Sequence, residues 1–305
     1  MVFEEAFPIT NDIICTKFAS MTKLEKFEKS ELSKSNYNSF KKAVRKKVFP
    51  RIKVELLLLI PEWQRLLDVK EASVAMHSLI VAYLVATDAR MPSLSAKHQN
   101  ILKWAALLHD ISKRGSPEFS GCDHTHPFAG GMTVLRIFHR LGFLDKQLYD
   151  TKVSEAQLEK VCILIERSMH APVPEEYVKK RFQPGEKFCT EIHSHEYLDE
   201  IFATLWDEEN PILVRGGFCD LVFRLIFFHQ SLHGVDKWPP MVMTTAEERF
   251  KFCDPEFFAL AVIIMANDSG SYTFLKDREL KQQADQEFIE NNSKMVEEWR
   301  KLNTQ

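Results

Sequence analysis

The sequence predicts an all-α protein, and three observations predict it. Glycine is scarce, 10 residues in 305, or about 3% against a usual share of roughly 7%. Few glycines means few turns with positive φ, which disfavours strand-rich sandwiches and phosphate-cradling loops. Apolar residues recur at helical spacing from residue 72 onward, and no alternation of strand and helix patterns interrupts them. The apolar share of 45% and charged share of 27% are ordinary globular usage, so wholesale disorder is excluded and the length suggests about two domains or one large one.

Taken in order, the first 50 residues are polar and rich in lysine, and are expected to attach loosely or to cap a core made elsewhere. Lys41, Lys42, Arg45, Lys46, Lys47, Arg51 and Lys53 form a basic cluster that reads as a solvated helix face, with an RNA, phosphoinositide or anionic surface as the alternative contact. Val74, Ala75, Leu79, Ile80 and Leu84 then mark a helix ending before Asp88 and the Pro92 loop. The densely apolar Ile101–Ile111 stretch, with Trp104, Leu107 and Leu108, predicts a central helix. Phe128, Met132, Leu135, Ile137 and Phe138 predict a third, ended near Gly142. Leu158, Val161, Cys162 and Ile165 predict a fourth, stopped before Pro172 and Pro174, and residues 171–195 have room for two or three short strands. Further helices follow over Leu198–Leu205, Phe218–Phe228 and from Pro255 to about Asn267, the last opened by Asp254 as cap and Pro255 at the first helical position. Leu280, Ala284, Phe288, Met295 and Trp299 describe a final amphipathic helix. The domain organisation expected is a polar and basic extension with capping helices over 1–69, a core domain over 70–275 with an insertion at about 171–250, and a C-terminal helix over 276–305.

Charge and motifs narrow the partners. The balance of 40 basic and 43 acidic residues leaves a net charge of −3, which argues against a nucleic-acid polymer as ligand. Neither G-x-G-x-x-G nor G-x-x-x-x-G-K-[ST] occurs. The six cysteines, Cys15, Cys122, Cys162, Cys189, Cys219 and Cys253, form no C-x-x-C pair, so a thiolate zinc clip is not legible and reduced core cysteines are expected. The acidic start Met1-Val2-Phe3-Glu4-Glu5 lacks the pattern of a signal peptide. Apolar runs such as Leu56–Ile60 fall far short of the roughly 20 residues a bilayer span needs. A cytoplasmic protein without a membrane span is the expectation, and nothing in the sequence sets its oligomeric state.

The sharpest chemical feature is Leu107-Leu108-His109-Asp110-Ile111-Ser112-Lys113-Arg114. An apolar run leads straight into a His-Asp pair, and burying a charged aspartate is costly unless something compensates it. A divalent cation would do so, since both side chains are competent ligands; an Asp-His pair satisfied by backbone groups is the plainer alternative. His77 lies inside an apolar helix, His126 opens the third helix before Pro127, His170 closes the fourth, and Asp268 follows a near-continuous hydrophobic run. Candidates carried on several core-forming helices are how bundle metal sites are built.

This pattern resembles the HD-domain superfamily of metal-dependent phosphohydrolases. His77 stands 32 residues before the His109-Asp110 pair, and the Leu-Leu-His-Asp-Ile-x-Lys string is similar to that family's central motif. His126-Pro127-Phe128-Ala129-Gly130-Gly131 is similar to the His-Pro-x-x-Gly string of its two-metal subgroup. Ile165-Glu166-Arg167-Ser168-Met169-His170 resembles the segment ending in the next histidine, and Ala266-Asn267-Asp268-Ser269-Gly270 resembles the closing motif. The resemblance implies an HD-domain helical bundle holding two divalent ions, for which imidazole and carboxylate donors suit Fe, Mn, Zn, Mg, Ni or Co alike. It assigns His77, His109, Asp110 and Asp268 to one cation, with Asp110 bridging to a second held by His126 and His170. Asp220, early in its helix, is the competitor for the last aspartate.

The implied reaction is hydrolysis of a small phosphoester or nucleotide by a metal-activated water, two cations about 3.5–4 Å apart clamping the attacking and leaving oxygens. Asp110, Lys113 and Arg114 are the catalytic expectations, Lys113 reaching a phosphate oxygen; Lys113, His124 and Arg167 are the substrate contacts. An exposed helix-end cation is the plainer reading of Arg114. Two other classes fit the resemblance: an HD-fold di-iron oxygenase acting on a polyol or phosphonate, and a non-catalytic HD scaffold. The Gly-Tyr-Pro signature of cyclic-dinucleotide hydrolases and the His-Asp-x-Gly-His variant are absent. Cys122-x-His124-x-His126 is a weak zinc triad, and His193, His195, His229 and His233 read as surface or substrate-rim residues. Recognition is expected to lie in the 171–250 stretch.

Overall fold

The computed structural model describes residues 42, 44–116, 123, 125–148, 152–169, 171–172, 191–192, 197–230 and 250–274, with isolated positions 286, 290, 293, 294, 297 and 301. In chain order the helices are α1 (Phe49–Leu59), α2 (Gln64–Asp68), α3 (Ser73–Ala86), α4 (Ala96–Leu108), α5 (His126–Arg140), α6 (Phe143–Gln147) and α7 (Glu155–Ser168). The two-residue strands β1 (Ala171–Pro172) and β2 (Glu191–Ile192) come next, then α8 (Leu198–Leu205), α9 (Phe218–Phe227) and α10 (Pro255–Phe274). The strands pair antiparallel with Ala171 opposite Ile192, and they are all the strand content among the described residues. The fold is all-α. The chain divides into two compact units, 1–111 with 258–297 and 112–257 with 298–305. The amphipathic helix expected over 280–299 lies outside the described residues, apart from isolated helical positions.

In the first unit α3 is the core. Every side chain from Val74 to Val85 except His77 is buried, as befits a helix that is apolar all round. It starts abruptly from Ala72, which takes the left-handed conformation at φ 64°. α4 begins at Ala96, earlier than the apolar run at Ile101 suggests, because Ser95 caps it by accepting the His98 amide at 3.2 Å. It also ends earlier, at Leu108, with His109 as its C-terminal cap. The Trp63 indole donates to the Leu107 carbonyl at 3.2 Å, satisfying one of the acceptors that a helix end leaves open. α10 runs past the expected stop at Asn267 to Phe274. Asn267 holds it in place by donating through Nδ2 to the Asp88 carboxylate and to the Ile263 carbonyl, each at 2.8 Å.

In the second unit α5 lies against α9, and one glycine permits the approach. A Cβ on Gly131 would stand 2.8 Å from Phe227 Cδ2 and 2.9 Å from Phe223 Cε2, inside any real contact. Phe202, Phe223, Phe227, Phe228 and Phe252 form a continuous aromatic core around this crossing. A capping box starts α7, where Ser154 and Gln157 satisfy each other's amides. α9 also carries a buried ion pair. Asp220 accepts from Trp206 Nε1, the Gly216 amide and Arg224 Nε at 2.8, 2.8 and 3.0 Å. Arg224 in turn reaches the Phe252 carbonyl and Asp254, each at 3.0 Å. Burial disfavours the guanidinium, but the carboxylates of Asp220 and Asp254 overcome this and raise it above its ordinary value.

Candidate metal centres

The first cluster joins three helices of the first unit. His77 comes from the middle of α3, His109 and Asp110 from the turn just after α4, and Asp268 from the C-terminal half of α10. His77 Nε2 lies 3.2 Å from His109 Nε2 and 2.9 Å from Asp268 Oδ1. Asp110 Oδ2 lies 3.5 Å from His77 Nε2 and 3.6 Å from His109 Nε2. His109 and Asp110 have no exposed surface.

Protonation here is set by the surroundings. Burial lowers the His109 imidazole and outweighs the neighbouring charges of Asp110 and Asp268, so the ring is neutral. Burial raises Asp268, yet the close approach of the His77 and His109 imidazoles outweighs it and holds the carboxyl far below the carboxylate range. Neutral imidazole and ionised carboxylate are the forms in which these groups bind metals.

Ring orientation points the same way. His109 Nδ1 donates to the Ala106 carbonyl at 2.8 Å, which leaves its Nε2 lone pair facing His77. His77 Nδ1 lies 2.9 Å from Ser271 Oγ. The Ser271 hydroxyl also reaches the Asp268 carbonyl at 2.7 Å; with its hydrogen donated there, the serine oxygen accepts from Nδ1, and Nε2 is left as the ligand atom. Both Nε2 atoms therefore meet beside a carboxylate oxygen, an arrangement that needs a positive charge between them. His77, His109 and Asp268 offer their donor atoms within 4.8 Å of one another.

The second cluster lies in the second unit. His126, at the start of α5, and His229, two residues past the end of α9, are both buried. Their Nε2 atoms are 3.2 Å apart. His126 Nδ1 donates to the Asp123 carbonyl at 2.6 Å and His229 Nδ1 to the Ile226 carbonyl at 2.7 Å, so these rings too present Nε2 lone pairs to each other. Gln230 places its amide nitrogen 3.3 Å from His126 Nε2. The loop before His126 is held by Arg114, which donates from Nε and its amide to Asp123 Oδ2, and from a terminal nitrogen to Asp123 Oδ1 and Thr125 Oγ1. Burial raises the Asp123 carboxyl, but the Arg114 hydrogen bonds and the Arg114 charge hold it below its ordinary value.

Several expectations take a definite form. Asp268, not Asp220, stands with His77 and His109, because the Asp220 oxygens are engaged by Trp206, Gly216 and Arg224. Lys113 is half-buried just past the His-Asp pair. The Arg114 guanidinium, expected to be catalytic or an exposed helix-end cation, is directed onto Asp123 and Thr125. Arg167 is exposed on α7. His124 and His170 lie outside the described residues, as do His193, His195 and His233. His229 corrects the sequence reading: it is 3% exposed and paired with His126, not at a surface or rim. Its signal is in the chain, since Leu225-Ile226-Phe227-Phe228-His229 repeats the apolar-run-to-histidine pattern of Ala105-Ala106-Leu107-Leu108-His109.

Comparison with known families starts where α3 starts. Residues 74–215 match the family model of the HD domain, a span that takes in His77, the His109-Asp110 pair and His126. That span is an HD domain. No curated protein and no solved structure matches the chain. The HD family includes metal-dependent phosphohydrolases, and the donor set of both clusters fits a divalent cation. His229 and Asp268 lie beyond the matched span, and the structure alone brings them to its histidines. Among the described residues no single helix is long and apolar enough to cross a membrane.

Proposed function

We propose that this HD-domain protein hydrolyses a phosphoester bond in a small phosphorylated molecule or nucleotide, using divalent cations. The observation that carries the reading is the shared orientation of four histidines, each with Nδ1 tied back and Nε2 turned inward. His77, His109, Asp110 and Asp268 would hold one cation, and His126 with His229 a second. His170, the ligand the family resemblance implies, stays a candidate beside them. A cation so held would supply an activated water at neutral pH.

The chain's own residues do the rest. Asp110, fully buried, places its carboxylate 3.5 and 3.6 Å from the His77 and His109 Nε2 atoms and is the acidic catalytic candidate. Lys113, one turn farther, offers its ammonium to a phosphate oxygen and offsets the charge that develops on it. Arg114 and Asp123 hold the His126 loop. Apart from ligand positions, His124 and Arg167 remain the candidates for substrate contact.

The deciding experiment is metal analysis of chelator-free protein, followed by a phosphoester panel run without oxygen. Metal-dependent phosphate release under those conditions supports the hydrolase. Oxygen consumption by the ferrous protein without phosphate release would replace it with the oxygenase, and metal binding without turnover of either kind would leave a binding scaffold.

A further inference from the structure

Three of the four inward-facing histidines take their orientation from main chain, and one does not. Ala106 and Ile226 belong to the last turns of α4 and α9, where carbonyls have no partner within the helix. His109 and His229, three residues further on, donate Nδ1–H to these carbonyls. His126 opens α5 and donates back to the Asp123 carbonyl outside the helix. His77 has no such recourse. It sits in the interior of α3, where the carbonyls of the preceding turn already accept helical amides.

The acceptor comes from 194 residues away instead. Ser271 Oγ lies 2.9 Å from His77 Nδ1, and Ser271 is 6% exposed. Its hydroxyl also reaches the Asp268 carbonyl at 2.7 Å, and with its hydrogen donated there the oxygen accepts from the imidazole. Ser271 thereby links the orientation of His77 to the helical turn that carries Asp268. We propose that Ser271 is the positioning residue that holds His77 as a metal ligand, an inference that rests on the metal-centre reading above.

The full-length protein tests this with cobalt(II) as the probe. Ser271→Ala is expected to weaken cobalt affinity, measured by chelator competition, by about 10–100-fold, the range for outer partners of ligating histidines. Ser271→Thr, which keeps the hydroxyl, is expected to restore it. Ser271→Cys preserves the shape while offering a weak acceptor, and is expected to fall with the alanine variant. In the cobalt-loaded protein the His77 Nδ1–H resonance should be protected from solvent exchange in wild type and Ser271→Thr and lost in the other two. A purely structural role for Ser271 would not move that signal. Wild-type affinity and a protected resonance in Ser271→Ala or Ser271→Cys would overturn the proposal alone; a wild-type protein that binds no cobalt would overturn the metal-centre reading and this proposal with it.

Discussion

His77, His109 and Asp268 come from the middle of one helix, the end of a second and the far half of a third, with a buried Asp110 beside them. His126 and His229 stand at the start of one helix and just past the end of another. In the second unit the Asp123 carboxylate, close to His126 in the chain, is engaged by Arg114. The two clusters use the same donor nitrogen and the same tied-back rings, but in the first a second carboxylate, Asp268, stands 2.9 Å from His77 Nε2 and 3.7 Å from His109 Nε2. Desolvated carboxylates raise the demand for a cation and strengthen its hold. The first cluster should therefore bind metal more tightly, and the second should empty first when metal is scarce.

The largest effect comes from removing a charge at the first cluster. Asp110→Ala is expected to lower metal affinity there by more than about 100-fold, beyond what loss of an outer partner causes, and to abolish turnover. Circular dichroism should remain helical, because Asp110 lies in the turn after α4 and not within a helix. Metal retained with full activity would break the site assignment altogether. A smaller and more selective effect is expected at the second cluster: His229→Ala should release only the weakly held metal under mild chelation. Equal release of all bound metal by this variant would show that the two clusters do not differ as their charges imply.

The smallest effect is on packing. Gly131→Ala brings a methyl group against Phe223 and Phe227, and should destabilise the protein by about 1–3 kcal/mol in thermal unfolding. Glycine-to-alanine changes at exposed helical sites go the other way by about 1 kcal/mol. The sign of the change thus reports whether α5 and α9 meet as closely as the structure shows.

The helices and the first cluster were readable because their signal is local. An apolar run ending in His109-Asp110 is visible without any knowledge of tertiary contacts, as is a histidine inside the apolar α3. Asp268 and Asp220 both follow or enter apolar segments, and only contacts distant in sequence separate them: one meets His77, the other Arg224 and Trp206. His229 was hidden because the polar residues after it resemble a surface segment, although the Phe227-Phe228 pair before it marks a buried helix end. Ser271 could not be read at all, since its role depends on a partner on α3. The extent of α10 was likewise set by Asn267 and Ser271 bonding within and across, not by propensity.

Trp63 carries a consequence for how small a working form of this protein can be. It precedes the 70–275 segment that the sequence marks as the core domain, yet its indole closes the helix end from which His109 departs. Leu56, Ile60 and Leu66 are buried alongside it. A truncated chain starting at residue 70 would keep every proposed ligand and lose the fastening of one of them, so the smallest competent fragment begins upstream of the matched family span, at α1 or before.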